Sequence, residues 1–261
     1  MKRRDFVGAS VGASLLPTLS PGAEPGKPQL LELRRYRLRF GPMEARFHEY
    51  LKGASLPALG RAGVKPVGVF GVGVGPGAPT VYMLLPLPNP EALAELPARL
   101  AADADYRRDA ATFRGLPATD PPYVRRDSSL MVGFGSFPTV VAPTGAQAGA
   151  SRVFELRTYE SHNEAAGLKK IEMFEGGGEI AIFRRVGLNP VFFARDVVGG
   201  NLPSLTYMLV FEDLAAREKA WGAFGGDPEW KKISTTPGFT NGEIVSNIHN
   251  VLLRPTDYSQ I

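Results

Sequence analysis

The stretch Leu31-Glu32-Leu33-Arg34-Arg35-Tyr36 is written a second time as Phe154-Glu155-Leu156-Arg157-Thr158-Tyr159. Three more pairs follow in the same order. Arg61 to Phe70 (RAGVKPVGVF) matches Arg185 to Ala194 (RVGLNPVFFA), Val81 to Leu87 matches Thr206 to Glu212, and Ala104 to Asp109 matches Pro228 to Ile233. The offset stays between 123 and 125 throughout. Ordered matches at a constant offset mean a duplicated unit, and this duplication constrains the fold more than any other feature. At 261 residues the chain has room for two units of about 100–150 residues each.

Both copies carry the same order of elements. A strand of alternating character opens each one, around Glu32 to Leu38 and Val153 to Tyr159. A helical pattern follows, with Phe47, Tyr50 and Leu51 in the first copy and Leu168, Ile171 and Phe174 in the second. Gly53 and Pro57 are expected to interrupt the first helix, and Gly176-Gly177-Gly178 the second, since each glycine costs a helix roughly 1 kcal/mol relative to alanine. Two strands come next: Pro66 to Val74 with Val81 to Leu87, and Pro190 to Val198 with Ser204 to Phe211. A second helix starts at a capping residue, Asn89 before Pro90 in the first copy and Asp213 in the second. Asp227-Pro228-Glu229 caps a short continuation in the same way. The last strands are expected at Leu130 to Phe134 and Asn247 to Leu253. This β-α-β-β-α-β order defines an α+β class of two tandem ferredoxin-like domains, residues 28–137 and 151–256. Residues 138–150, rich in Pro, Gly and Ala, read as the linker between them. Two such units can pack sheet to sheet as an intramolecular α/β barrel.

Residues 1–27 read as a signal peptide and tail. Lys2, Arg3 and Arg4 precede a weakly apolar run from Phe6 to Leu19, and then a Pro/Gly/Ala stretch with a cleavage point expected near Ala23. Arg3-Arg4-Asp5-Phe6 resembles a twin-arginine export signal, which implies passage through the twin-arginine machinery after folding and a periplasmic or secreted destination. The run is too short and too rich in Gly, Ala and Ser to span a bilayer. Much of the formal charge of +4 lies in this segment, and no basic stripe with interleaved aromatics suggests nucleic acid. With no Cys, disulfides, thiolate catalysis and Cys-ligated metals are excluded.

The candidate site follows from strand alternation. Glu32, Arg34 and Tyr36 share one strand face, and Glu155, Arg157 and Tyr159 share the matching face of the other copy. The more apolar faces are expected against the helices and the Glu-Arg-Tyr faces toward the barrel lumen. There they would form either a ligand pocket or a paired structural network at the domain interface. His249 on the last strand is a further lumen candidate. His48 and His162 fall in other contexts, and no metal-ligand spacing is present. Gly71-x-Gly73-x-Gly75 is followed by a strand rather than a helix and does not make a dinucleotide fingerprint. Trp221, Phe224 and Trp230 read as core. No motif calls for a cofactor.

The second copy resembles the NIPSNAP family of the dimeric α/β-barrel superfamily. The resemblance is carried by Glu155-Leu156-Arg157-Thr158-Tyr159, by Arg184 to Val191, by Leu205 to Trp221, and by Asp227-Pro228-Glu229-Trp230. The first copy is more divergent. The resemblance implies a tandem ferredoxin-like fold closing as a pseudo-dimer and carries little chemistry. Three readings stay open: a small-molecule binder using the lumen, a cofactor-independent monooxygenase or isomerase with Tyr159 or His249 as acid/base, and a structural or partner-binding exported protein. Homo-oligomerisation is compatible with each.

Overall fold

A computed structural model describes residues 27–261 apart from 75, 76, 78, 146–148 and 150. The export-signal residues Arg3, Arg4 and Phe6 lie outside the described residues. The strands are β1 (Leu30–Arg37), β2 (Gly68–Val74), β3 (Thr80–Leu87), β4 (Arg125–Gly133), β5 (Val153–Glu160), β6 (Asn189–Val198), β7 (Ser204–Phe211) and β8 (Asn247–Pro255). Among the described residues they form a closed barrel in the order β1-β3-β2-β8-β5-β7-β6-β4.

The order resolves the duplication. Each half contributes an antiparallel sheet, β4-β1-β3-β2 and β8-β5-β7-β6. The last strand of each half then pairs with the second strand of the other: β8 with β2, and β4 with β6. These two seams leave no free strand edge, which removes the templates for aggregation that an open sheet presents. Both seams are irregular, with register shifts between Val72 and Val74 and between Leu130 and Met131.

The helices lie outside the barrel. In the first half α1 (Pro42–Tyr50) and α2 (Leu56–Arg61) precede β2, and α3 (Pro90–Ala102), α4 (Ala104–Asp109) and α5 (Ala111–Arg114) follow β3. In the second half α6 (Glu164–Glu175) and α7 (Glu179–Val186) precede β6. There α8 (Leu214–Gly226), α9 (Pro228–Ser234) and α10 (Asn241–Ile244) follow β7. The caps form where the sequence places them. Asn89 accepts from the Ala92 N–H at 2.8 Å, Asp213 from Ala216 at 2.8 Å, and Asp227 from Trp230 at 3.1 Å. The triple glycine ends α6, and Gly178 adopts φ 88°, a left-handed conformation open to a residue without Cβ.

Two expectations are corrected. Gly53 and Pro57 do not break the first helix: residues Leu51–Ser55 form a π-helical turn that joins α1 to α2, and Pro57 falls in the first turn of α2, where a missing N–H costs little. The strand expected at Leu130 starts earlier, at Arg125. Its first residues are polar and give no apolar alternation, yet they pair in register with Arg37 through Leu33 of β1.

Hydrophobic layers fill both sides of each sheet. Phe47, Leu51, Leu59 and Leu85 pack between the first sheet and its helices, and Phe174, Phe183, Tyr207 and Phe224 do so in the second half. A separate cluster draws Leu31, Phe70, Leu84 and Met131 from one half and Phe154, Phe192, Met208 and Leu253 from the other. This third cluster is the barrel interior. It occupies one end, where the Phe70 and Phe154 ring centres lie 4.7 Å apart. Ile261, 3% exposed, closes that end, held as Gln260 and Ser259 bond the backbone at Val67 and Val69.

Candidate functional site

The two Glu-Arg-Tyr faces lie on the outside of the barrel, beneath the helices. Tyr36 belongs to the first helix-facing layer and Tyr159 to the second, whereas Leu31 and Leu33, and Phe154 and Leu156, point inward. The expected orientation is therefore reversed for Glu32, Arg34, Tyr36, Glu155, Arg157 and Tyr159. The physical reason is the width of the barrel. Eight strands enclose a space that side chains can just fill, so apolar residues gain most by turning in, and the helices supply charged partners for the residues turned out.

In the second half those partners converge on Glu155, whose side chain is fully buried. Arg217 of α8 donates through Nε and Nη2 at 2.8 Å each, and the Trp221 indole N–H donates at 2.7 Å. Arg157 donates at 2.9 Å and Asn250 at 2.7 Å. Burial pushes the Glu155 carboxyl up, but Arg217, Trp221 and Arg157 more than offset this and hold it below the usual carboxylate range. Arg157 also donates to the Tyr159 hydroxyl at 3.2 Å, and its guanidinium lies 4.7 Å from the Trp221 ring centre. The first half has a smaller version. Arg34 grips Glu32 with a two-point contact at 2.8 and 2.9 Å, and Ser128 donates to Glu32 at 2.6 Å.

The open end of the barrel holds a cavity of about 550 Å³. Leu33, Leu156 and Val251 line it toward the filled end, and polar residues line it toward solvent. On the first-half wall Arg35 donates to Asp127 at 2.7 Å, and Arg37 reaches the same carboxylate at 3.5 Å, so two guanidiniums share one acid. On the second-half wall Thr206 and Ser204 both donate to Asp196 Oδ2 at 2.9 Å. The Thr206 hydroxyl has one proton, so at its 2.9 Å contact with Thr158 it accepts, giving a relay from Thr158 through Thr206 to Asp196. Burial pushes the Asp196 carboxyl up, against the hydroxyls that lower it. A carboxyl poised in this way can give or take a proton in a space open to a ligand.

Of the lumen candidates, His249 does line this mouth, where its Nε2 contacts Glu160. His48 instead contacts the Tyr258 hydroxyl from α1, and His162 sits in the loop after β5. Among the described residues no cluster of three His, Asp or Glu side chains could hold a metal. Trp221, Phe224 and Trp230 pack as core, Trp221 with its added bond to Glu155. Sequence reasoning missed Arg35, Asp127, Thr158, Asp196, Ser204 and Thr206. The signal existed: Asp196 shares strand parity with Phe192 and Ala194, and Thr158 with Phe154 and Leu156. Assigning the apolar parity to the helices hid it.

Fold and site together define a tandem barrel of the dimeric α/β-barrel class, with both protomer equivalents in one chain. In its second half, residues 154–260 match the NIPSNAP family model. A candidate monooxygenase from Lactobacillus acidophilus NCFM has a similar structure, with a TM-score of 0.58 at 10% identity over 88% of this chain and 94% of that one. A second candidate monooxygenase, from Fusobacterium nucleatum, has a TM-score of 0.55 at 8% identity over 88% and 93%. A NIPSNAP-like domain protein from Burkholderia xenovorans has a TM-score of 0.38 at 22% identity over 42% of this chain and 90% of that one. At such identities the likeness of the two larger structures speaks to the fold. No curated protein matches the sequence.

Proposed function

We propose that this protein binds a small amphipathic molecule in the open end of the barrel. The observation that carries this reading is the division of the interior: one end is packed with side chains, and the other keeps a cavity of about 550 Å³, within the usual range of roughly 300–1,000 Å³ for ligand sites. Leu33, Leu156 and Val251 offer an apolar seat. On the first-half wall Arg35 and Arg37 share the one carboxylate of Asp127, which leaves that wall a positive charge in excess, opposite Asp196, for an anionic or strongly accepting head group. Filling the seat tests the reading. Val251→Trp is expected to cost about 1–3 kcal/mol by overpacking and to leave a folded protein. It should abolish the binding of whatever small molecule native mass spectrometry detects on the wild type. Binding unchanged in V251W would place the ligand elsewhere.

The protein is proposed to act outside the cytoplasm, supported by Arg3-Arg4-Asp5-Phe6 and the apolar run that follows. Replacing Arg3 and Arg4 together by Lys is expected to retain the full-length protein in the cytoplasmic fraction. Equal recovery from the exported fraction would end that assignment.

A further inference from the structure

A second cavity, a groove of about 430 Å³, lies beside the barrel mouth between α6 and the connection from β6 to β7. Leu168 and Ile171 of α6 line one side, and Val197, Leu202 and Pro203 the other. Leu168 is 56% exposed and Leu202 45%. Single exposed apolar residues are ordinary, but here several converge on one concave surface. The groove adjoins the mouth, and two residues stand on the boundary. Asp196 and Ser204 line both spaces and are bonded to each other at 2.9 Å.

We infer that the groove takes the hydrocarbon tail of the molecule whose head group sits in the mouth, which makes the ligand class a long-chain carboxylate such as a fatty acid. The inference rests on the proposed binding function and names its substrate class. The two adjoining spaces differ in chemistry as an amphiphile's ends do. Arg35 and Arg37 stand on the first-half wall, and the groove opens on the second-half side, where Leu168, Ile171, Val197, Leu202 and Pro203 form its apolar walls and Glu164 and Arg195 also line it. Between them stands Asp196, where burial disfavours the charged carboxylate, so a chain crossing it meets less repulsion and less desolvation cost than an ordinary surface acid would impose.

The test uses the full chain and two probes: cis-parinaric acid, a fluorescent long-chain fatty acid, and butyrate, which has a head group and almost no tail. Leu168→Asp and Leu202→Asp alter exposed side chains and should not disturb folding. Each is expected to weaken parinarate binding about tenfold or more, equivalent to losing the burial of roughly two methylenes. Each should leave butyrate binding unchanged, while V251W abolishes both. Parinarate binding that survives L168D and L202D but not V251W overturns the groove and leaves the mouth reading intact. Parinarate binding indifferent to V251W overturns the shared site, and with it the mouth reading. Absence of parinarate binding overturns the ligand class. A native mass that drops from dimer to monomer in L168D or L202D assigns the groove to a second copy of the chain and overturns the inference as well.

Discussion

Glu155→Ala is expected to lower the melting temperature by roughly 6–20 °C, making it the most damaging single change on the strand faces. Its carboxylate accepts from two guanidiniums, an indole N–H and an amide, all between a sheet and a helix layer. Removing one partner of a buried ion pair costs about 3–5 kcal/mol, because the remaining charges stay buried without compensation. For a chain of this size, each kcal/mol moves the midpoint by about 2–4 °C. Arg217 and Trp221 hold α8 to β5 through this one carboxylate, so its loss unpins the helix that covers the second sheet. The equivalent change in the first half, Glu32→Ala, is expected to cost less. Among the described residues Glu32 accepts hydrogen bonds from Arg34 and Ser128, both on strands, and none from a helix. The pH dependence has a defined sign. The Glu155 carboxyl is held below its usual range, so the stability it supplies is present above that range and is lost as the pH falls through its folded value. Thermal melts of both variants against pH measure this. A Glu155→Ala variant that melts with the wild type would show that the network carries no net stability.

How much of this was legible in the sequence depends on what each residue's signal encodes. The duplicated Glu-Leu-Arg-x-Tyr strands, the caps at Asn89, Asp213 and Asp227, and the glycine break before α7 are local. Their chemistry fixes them regardless of the rest of the fold. The pairing of Glu32 with Arg34 and of Glu155 with Arg157 follows from spacing along one strand face. The inside and the outside of the barrel are different in kind. Alternation says that Phe154 and Glu155 face opposite ways, but only the partners decide which way is in. Those partners, Arg217 and Trp221, lie more than sixty positions away from Glu155 in the chain. The mouth was hidden for the same reason. Asp196 on β6 and Ser204 and Thr206 on β7 are ordinary polar residues until the pairing of the two strands sets them side by side. The early start of β4 shows the same limit from another angle, since Asp127 makes a strand residue only by answering Arg35 across the ladder.

A second buried pair makes the separation of charge from packing testable. Lys170 of α6 and Glu179 of α7 are almost fully buried and 3.1 Å apart, and they bridge the two helices across the triple glycine. The ammonium also lies 4.6 Å from the Phe174 ring centre, 5.3 Å from Tyr159 and 5.6 Å from Trp230. Taking two charges out of water is costly, and an apolar pair of similar volume is often as stable or more so. Lys170→Met and Glu179→Leu are each expected to cost about 3–5 kcal/mol alone, while the double variant should recover most of that loss. The two single variants should part company with pH. Burial pushes the Glu179 carboxyl up even beside Lys170, and folding therefore becomes more favourable as the pH falls toward the ordinary carboxyl range. In Lys170→Met the stranded carboxyl can take up a proton, so the deficit should shrink between pH 8 and pH 5. Glu179→Leu has lost the carboxyl that responds to acid, and its deficit should not shrink. Denaturant midpoints at the two pH values for all three variants decide the matter. A double variant no more stable than either single would mean that the pair holds α6 and α7 in place by its geometry, and that the apolar pair cannot reproduce it.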